Sequence, residues 1–298
     1  MWSSKSLGSS FQHAFFRWLV RLRLIPAARL LLYPVSFYYA LRPDVRKRYR
    51  PYLRHRFGTA SPARELRRTA VAYKHFADVL LDRMIVGCGG SVTVRQNEHT
   101  LSALRAALSE GRGCLLVSAH FGSWQLGLLG LETLGRPMAL LQFVDKEDVD
   151  KHYFQVDGQR HDVRVINSRD GMAAVIAVCD TLRNNGIVCM MGDRMTPQDK
   201  EYVTVEFLGD AVRLPAAPYI LASLTGAPIV HTFSVRENGA ILGLPGTLTK
   251  VPNDVRRDRD ALCALAQDFM AQVERLTERY PFHFFNFYDM WEHDDGQD

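Results

Sequence analysis

Short, nearly continuous apolar runs alternate along this chain with longer segments whose apolar positions recur at helical spacing. Residues 114–119, 138–144, 163–166 and 187–191 have the length and composition of buried strands. Between and after them the spacing predicts helices over 98–110, 124–134, 147–159, 171–184, 216–224 and 258–280. Gly186 stops the fourth and Pro281 the last. Residues 202–208 alternate as a strand with one face buried. Residues 229–235 and 240–244 predict a hairpin around Glu237-Asn238-Gly239. Buried strands separated by helices mean an α/β layer structure, with a mixed, mostly buried sheet flanked by helices.

The first part of the chain has a different pattern. Residues 1–57 predict helices broken at Pro34. A further helix over 62–86 carries a broad apolar stripe through Ala70, Val71, Tyr73, Phe76, Val79, Leu80 and Leu81. Gly87 to Gly90 then interrupts the periodicity. The expected division is a helical segment, 1–57, followed by an α/β domain, 58–298. Charge sharpens it: residues 1–70 hold 15 Lys or Arg against Asp44 and Glu65, leaving 22 basic and 30 acidic residues for the remainder. A basic segment on an acidic body points to an anionic surface as partner. The stretch 24–41 contains Arg29 and Pro34, sits at the short end of the ~17–25 residues a spanning helix needs, and has no cleavage site of a leader. Trp18, Tyr33, Phe37, Tyr38 and Tyr39 flanked by Arg17, Arg21, Arg23 and Arg46-Lys47-Arg48 fit a segment lying in the interface of an anionic membrane. The plainer alternative is an amphipathic helix packed on the body with a solvated basic face.

A composition 47% hydrophobic and 23% charged belongs to a folded protein and excludes wholesale disorder. The five cysteines are scattered without zinc-site or redox spacing, so small thiols in a reducing compartment are the expected reading. There is no phosphate-binding loop, dinucleotide fingerprint or serine nucleophile elbow. No metal, cofactor or nucleic acid is expected.

Candidate chemistry collects at two strand ends. The run Leu115-Leu116-Val117-Ser118-Ala119 ends on His120. Gly122 then permits a tight turn, and Ser123 can cap the helix beginning at Trp124. A turn there can fold the imidazole back toward residue 125, where a side-chain acceptor would hold one ring nitrogen and leave the other to take a proton. The second apolar strand ends at Gly192-Asp193-Arg194, able to bind an anionic acceptor or to form a structural ion pair. His231 can line a pocket or fill the core, and His152, His161 and His283 have no metal-ligand spacing. Arg164, Arg169 and Arg213 can meet phosphate or an acidic carrier protein, or remain solvated. The aromatic run from Phe282 to Trp291 suits packing or an acyl groove.

His120-Phe121-Gly122-Ser123-Trp124 resembles the histidine motif of the glycerolipid and lysophospholipid acyltransferases, in the branch of the bacterial lipid A late acyltransferases (lauroyl and myristoyl transferases). Val205-Glu206-Phe207-Leu208-Gly209, Leu221-Ala222, Thr225-Gly226-Ala227-Pro228, Gly192-Asp193-Arg194 and the closing Phe284-Phe285-Asn286-Phe287-Tyr288-Asp289-Met290-Trp291 are similar to that branch, in order. The resemblance implies an acyltransferase on the cytoplasmic face of the bacterial inner membrane, moving a fatty acyl group from an acyl carrier protein or coenzyme A thioester to a lipid acceptor such as a lipid A precursor. It implies His120 as general base, with Gly122, Ser123, Trp124 and Arg194 near the substrates; Arg213 is a further substrate-binding candidate from its residue type alone. The motif places a carboxylate five residues after the histidine, and this chain has Gln125 there. An amide can accept a hydrogen bond but has no charge to favour imidazolium. Another carboxylate, an inactivated site, or a non-catalytic lipid-binding protein on the same fold would each account for Gln125. Asp193 is the candidate replacement, since it should lie at the same sheet edge.

Overall fold

A computed structural model describes residues 8–143, 163–196 and 199–291; the helix expected over 147–159 lies outside them, as do His152 and His161. The chain begins with α1 (Ser10–Arg21), α2 (Ile25–Leu41), α3 (Pro43–Phe57) and α4 (Pro62–Gly87). A helix break at Pro34 does not occur, because α2 runs through it. The interruptions fall instead at residues 22–24, where Arg23 turns with φ 59°, and at the extended Arg42. Arg29, the charge inside the apolar stretch, faces α4. There it pairs with Asp78 and Asp82, while Lys74 and Arg236 complete the cluster. An apolar helix carrying an inward ion pair is built to pack on protein, and no helix among the described residues is long and apolar enough to cross a membrane.

Then follow β1 (Val94–Arg95), α5 (Glu98–Ser109), β2 (Cys114–Ser118), a 3-10 helix (Leu126–Leu134), β3 (Met138–Gln142), β4 (Val163–Asn167), α6 (Met172–Arg183) and β5 (Ile187–Met191). After them come β6 (Tyr202–Phe207), β7 (Asp210–Pro215), α7 (Ala217–Thr225), β8 (Ile229–His231), β9 (Ser234–Glu237), β10 (Ala240–Gly243), β11 (Thr247–Thr249) and α8 (Arg259–Arg279). The main sheet has the order β11-β8-β2-β5-β3-β4, parallel except for β11. Its strands are continuous apolar runs because both faces are covered. Leu116, Leu140, Cys189 and Val230 face α5 and the 3-10 helix. Leu115, Val117, Val188, Met190 and Ile229 face Val178, Tyr219, Phe269 and Val273 of the opposite helical layer. The result is a mixed α/β fold with a buried sheet and flanking helices. All five cysteines are free thiols, with Cys114 and Cys189 fully inside.

Two expectations need correction. The single strand over 229–235 is two strands: β8 belongs to the main sheet, while β9 pairs with β10 in a separate three-stranded sheet. Thr232, between them, donates its backbone N–H to Val117, so the chain changes sheets beside β2. Second, the strand from Tyr202 has a partner that was not among the expected elements. Strand β7 returns antiparallel along it after a turn in which Leu208 adopts φ 53°.

Candidate active site

Strands β2 and β5 are neighbours, in a register that sets Ser118 opposite Met191. Two residues beyond each of these stand His120 and Asp193, so the register brings the pair together across 73 positions of chain. The carboxylate grips the histidine twice. Oδ2 accepts the backbone N–H of His120 at 3.0 Å, and Oδ1 meets ring Nδ1 at 2.9 Å. Ionised Asp193 can only accept, so it selects the tautomer with the proton on Nδ1 and leaves Nε2 basic. Asp193 is 1% exposed, whereas the histidine side chain keeps 25% of its surface open on a cavity wall.

The charges around this pair favour the states a base needs. Burial, then the positive charge of Arg194, pulls His120 below the ordinary histidine range, and Asp193 opposes them without cancelling them. The imidazole is therefore neutral at neutral pH. Burial pushes the Asp193 carboxyl up, but His120, Arg194 and the hydrogen bonds together outweigh it and hold the group ionised.

A second stretch of chain fixes the turn. Residues 283–285 run antiparallel to 120–122: Gly122 donates to the His283 carbonyl at 2.7 Å, and Phe285 donates to the His120 carbonyl at 2.8 Å. On the other side Ser123 donates to the Ser234 carbonyl at 3.0 Å. Gly122 has φ 56°, and a Cβ there would run into the Ser234 oxygen, so only glycine fits. The aromatic closing segment thus packs and lines at once. Phe284 is buried against Tyr52 and Phe207, while Phe285, Phe287 and Tyr288 face the cavity.

The cavity holds about 1460 Å³ and has two apolar sides. One is walled by Phe16, Leu32, Tyr39, Phe76 and Leu80 of the N-terminal helices, the other by Val175 and Val178 of α6, Met190 of β5, and Ile220 and Leu221 of α7. His120, Trp124, Gln125 and Arg194 stand in its wall, with the Trp124 ring edge-on to the imidazole at 6.0 Å. Arg194 donates to the Phe285 carbonyl at 3.2 Å and lies over Tyr288. Arg169 is also in the wall.

Other expected positions lie elsewhere. Gln125 does not hold the histidine; it lines the cavity, and its side chain makes no hydrogen bond among the described residues. Ser123 does not cap the following helix: its hydroxyl is buried without a partner. Arg213 stands on β7 over the Tyr202 ring, outside the cavity wall. His231 is buried, bonded to Thr247 and Gln272, and held near pKa 4 by burial. The backbone clamp of 283–285 was not anticipated. The dense aromatic spacing marks that segment, but nothing in it says which strand it will lie beside.

Comparison with known proteins finds acyltransferases. Phosphatidylinositol mannoside acyltransferases from two strains of Mycobacterium tuberculosis are each 30% identical to this chain, over 135 and 145 residues. That is 44% of this chain and 42% of each relative. The same enzyme of Mycolicibacterium smegmatis is 27% identical over 143 residues, 47% of this chain and 45% of the relative. The match thus spans less than half the length of these relatives. A family model described as bacterial lipid A biosynthesis acyltransferase matches residues 37–292, which is most of the chain. The protein belongs to that family.

Proposed function

We propose that this protein transfers a fatty acyl group from a thioester, carried by acyl carrier protein or coenzyme A, to a hydroxyl of a lipid acceptor, with His120 as general base and Asp193 as the group that orients it. The carrying observation is the His120–Asp193 pair, 2.9 Å apart, opening with a free Nε2 on a large apolar cavity. As the acceptor oxygen attacks the thioester carbonyl carbon, Nε2 takes its proton. The tetrahedral intermediate collapses, the carbon–sulfur bond breaks, and the thiolate recovers the proton from imidazolium. Asp193 supplies the negative charge that Gln125 lacks, so the amide alone does not favour a non-catalytic lipid-binding protein. Lipid A and phosphatidylinositol mannosides, named for the family and its relatives, are both glycolipids. An amphipathic glycolipid is therefore the acceptor class we favour.

The acceptor is drawn from a membrane surface. Phe11, Trp18, Leu30, Tyr33, Phe37 and Tyr38 of α1 and α2 are exposed, beside Arg17, Arg21 and Arg23. Such a face suits a peripheral position on anionic lipid, with residues 1–57 as the interfacial segment and 58–298 as the acyltransferase domain.

The test is transfer from labelled acyl carrier protein or acyl-coenzyme A to extracted bacterial membrane lipids, with product identified by mass. We expect transfer by the intact chain and its loss in both His120→Ala and Asp193→Asn. Transfer at the normal rate by His120→Ala, or none by the intact chain from either donor, would overturn the proposal.

A further inference from the structure

We infer that Lys47 and Arg48 of α3, with the Tyr73 hydroxyl of α4, form a phosphate-binding site in the cavity wall, holding a substrate by its phosphate while its reacting end stands at His120. This deepens the acyl-transfer reading and rests on it for the identity of the substrate. That substrate is a phosphorylated acceptor lipid or the phosphopantetheine part of the thioester donor.

Most charges of α3 are already committed. Arg46 donates to the Ala40 and Leu41 carbonyls, each at 2.7 Å, and Arg50 clasps Glu65 of α4 at 2.8 Å. Arg56 donates to the Thr277 carbonyl, and Asp44, the acid of this helix, is taken by Arg42. Lys47 and Arg48 differ. Neither makes a hydrogen bond or ion pair among the described residues, and both stand in the cavity wall with Pro51. The helix turns them there because Val45, Tyr49 and Tyr52, at i, i+4 and i+7, take its core side.

Tyr73 adds a second observation. It lies in the same wall, and its hydroxyl is buried without a hydrogen-bond partner among the described residues. Such a group calls for an explanation. Burial pushes that hydroxyl above the ordinary tyrosine range, and the positive charge of Arg48 is the largest influence opposing it, which sets the guanidinium near the phenol. A phosphate oxygen drawn in by Arg48 gives the hydroxyl an acceptor. Cations and a neutral donor around one anion make the strong, charge-assisted kind of hydrogen bond.

The site lies two aromatic rings from the base. Tyr73 packs on Phe287 at 4.6 Å, Phe287 stacks on Phe285 at 6.2 Å, and Phe285 donates its N–H to the His120 carbonyl. Phosphate and reacting atom are thus held at separate points of one wall. The sugar of an acceptor, or the pantetheine arm of a donor, bridges them.

The test is equilibrium binding to the full chain, which needs no turnover. One pair of probes is a phosphorylated glycolipid and the same lipid stripped of its phosphate; the other is acyl-4′-phosphopantetheine and acyl-pantetheine. We expect Lys47→Gln with Arg48→Gln to weaken one phosphorylated probe about 10–100-fold and its phosphate-free counterpart hardly at all. Loss confined to the lipid pair makes the phosphate the acceptor's, and loss confined to the pantetheine pair makes it the donor's. Tyr73→Phe should weaken the same probe about tenfold. Arg54→Gln removes a cation of the same helix outside the cavity wall and should change neither pair. In turnover, the double variant should raise KM for that substrate with kcat unchanged. Unchanged binding of both phosphorylated probes, an equal loss with and without phosphate, or an equal loss in Arg54→Gln would overturn the site. Phosphate-dependent binding without any transfer by the unmodified chain would support the site and count against the acyl-transfer reading.

Discussion

The strand end that carries His120 and the helix pair that opens the chain are both rich in apolar and aromatic residues, yet the fold treats them in opposite ways. Leu115, Val117, Ala119 and Phe121 are fully buried, enclosed by helices on both faces of the sheet. In α2 only one stripe, Ala28, Leu32, Ser36 and Ala40, is buried, while Leu30, Tyr33 and Tyr38 are 69%, 63% and 56% exposed. An apolar strand between two helical layers has no free face, so a side chain at its end is held in place by the backbone on either side. A helix at the margin of a fold can bury one stripe and offer the rest elsewhere. The first arrangement suits chemistry and the second suits a surface.

The sharpest way to break this contrast is at the sheet edge. Asp193→Asn keeps the shape but removes the charge that, in the proposed mechanism, stabilises imidazolium. By analogy with the serine-protease template, transfer should fall about 10³–10⁴-fold, read by single-turnover kinetics, with the melting temperature checked in parallel. A loss under tenfold would mean that another group orients His120.

The next effect lies where the helix pair meets the body. Asp82 is 2% exposed and bound by Arg29 of α2 and Arg236 of β9. Removing one partner of a buried cluster leaves uncompensated charge, so Asp82→Ala should cost about 3 kcal/mol of stability in urea denaturation. A cost below about 1 kcal/mol would show that α2 is anchored by its apolar stripe alone.

A third measurement concerns pH. Under the proposed mechanism His120 must be neutral, and burial with Arg194 holds its pKa below the ordinary value of about 6.5. The rate should therefore stay level on acidification through pH 6.5 and fall tenfold per unit only below the depressed pKa. A limb centred above 6.5 would mean that Asp193 outweighs Arg194 and burial.

The smallest effect on stability belongs to the exposed helix faces. Trp18→Ser with Phe37→Ser should leave stability within about 0.5 kcal/mol per site, yet reduce co-sedimentation of the full chain with anionic vesicles. Unchanged sedimentation would remove the membrane role from α1 and α2. Substitution is the cleaner test here: deleting residues 1–42 would strip α2 from α4 and expose the apolar positions it covers.

Much of this molecule was legible from local pattern. The strands at 114–118 and 187–191, the helices around 98–109 and 259–279, and His120 at a strand end before a glycine turn all follow from periodicity and backbone chemistry within a dozen residues. The hairpin partner 210–215 could have been read from the alternation of Val212 and Leu214 after Leu208-Gly209. Asp193 could be named as a candidate from its place at the end of a second apolar strand, but its bond to the imidazole could not. Sequence spacing makes Gln125 the neighbour, five residues away, whereas the ring is bonded to Asp193 because β5 happens to lie beside β2 with Ser118 opposite Met191. Strand order and register are set by the packing of entire layers, and no local pattern encodes them. The same holds for Phe284 lying against Phe121 and for the split of 229–235 between two sheets. Residue types and their periodicity settle which elements form and where reactive groups can stand, because those are short-range matters of burial and backbone geometry. Which of those groups meet is a long-range matter, decided when the layers close.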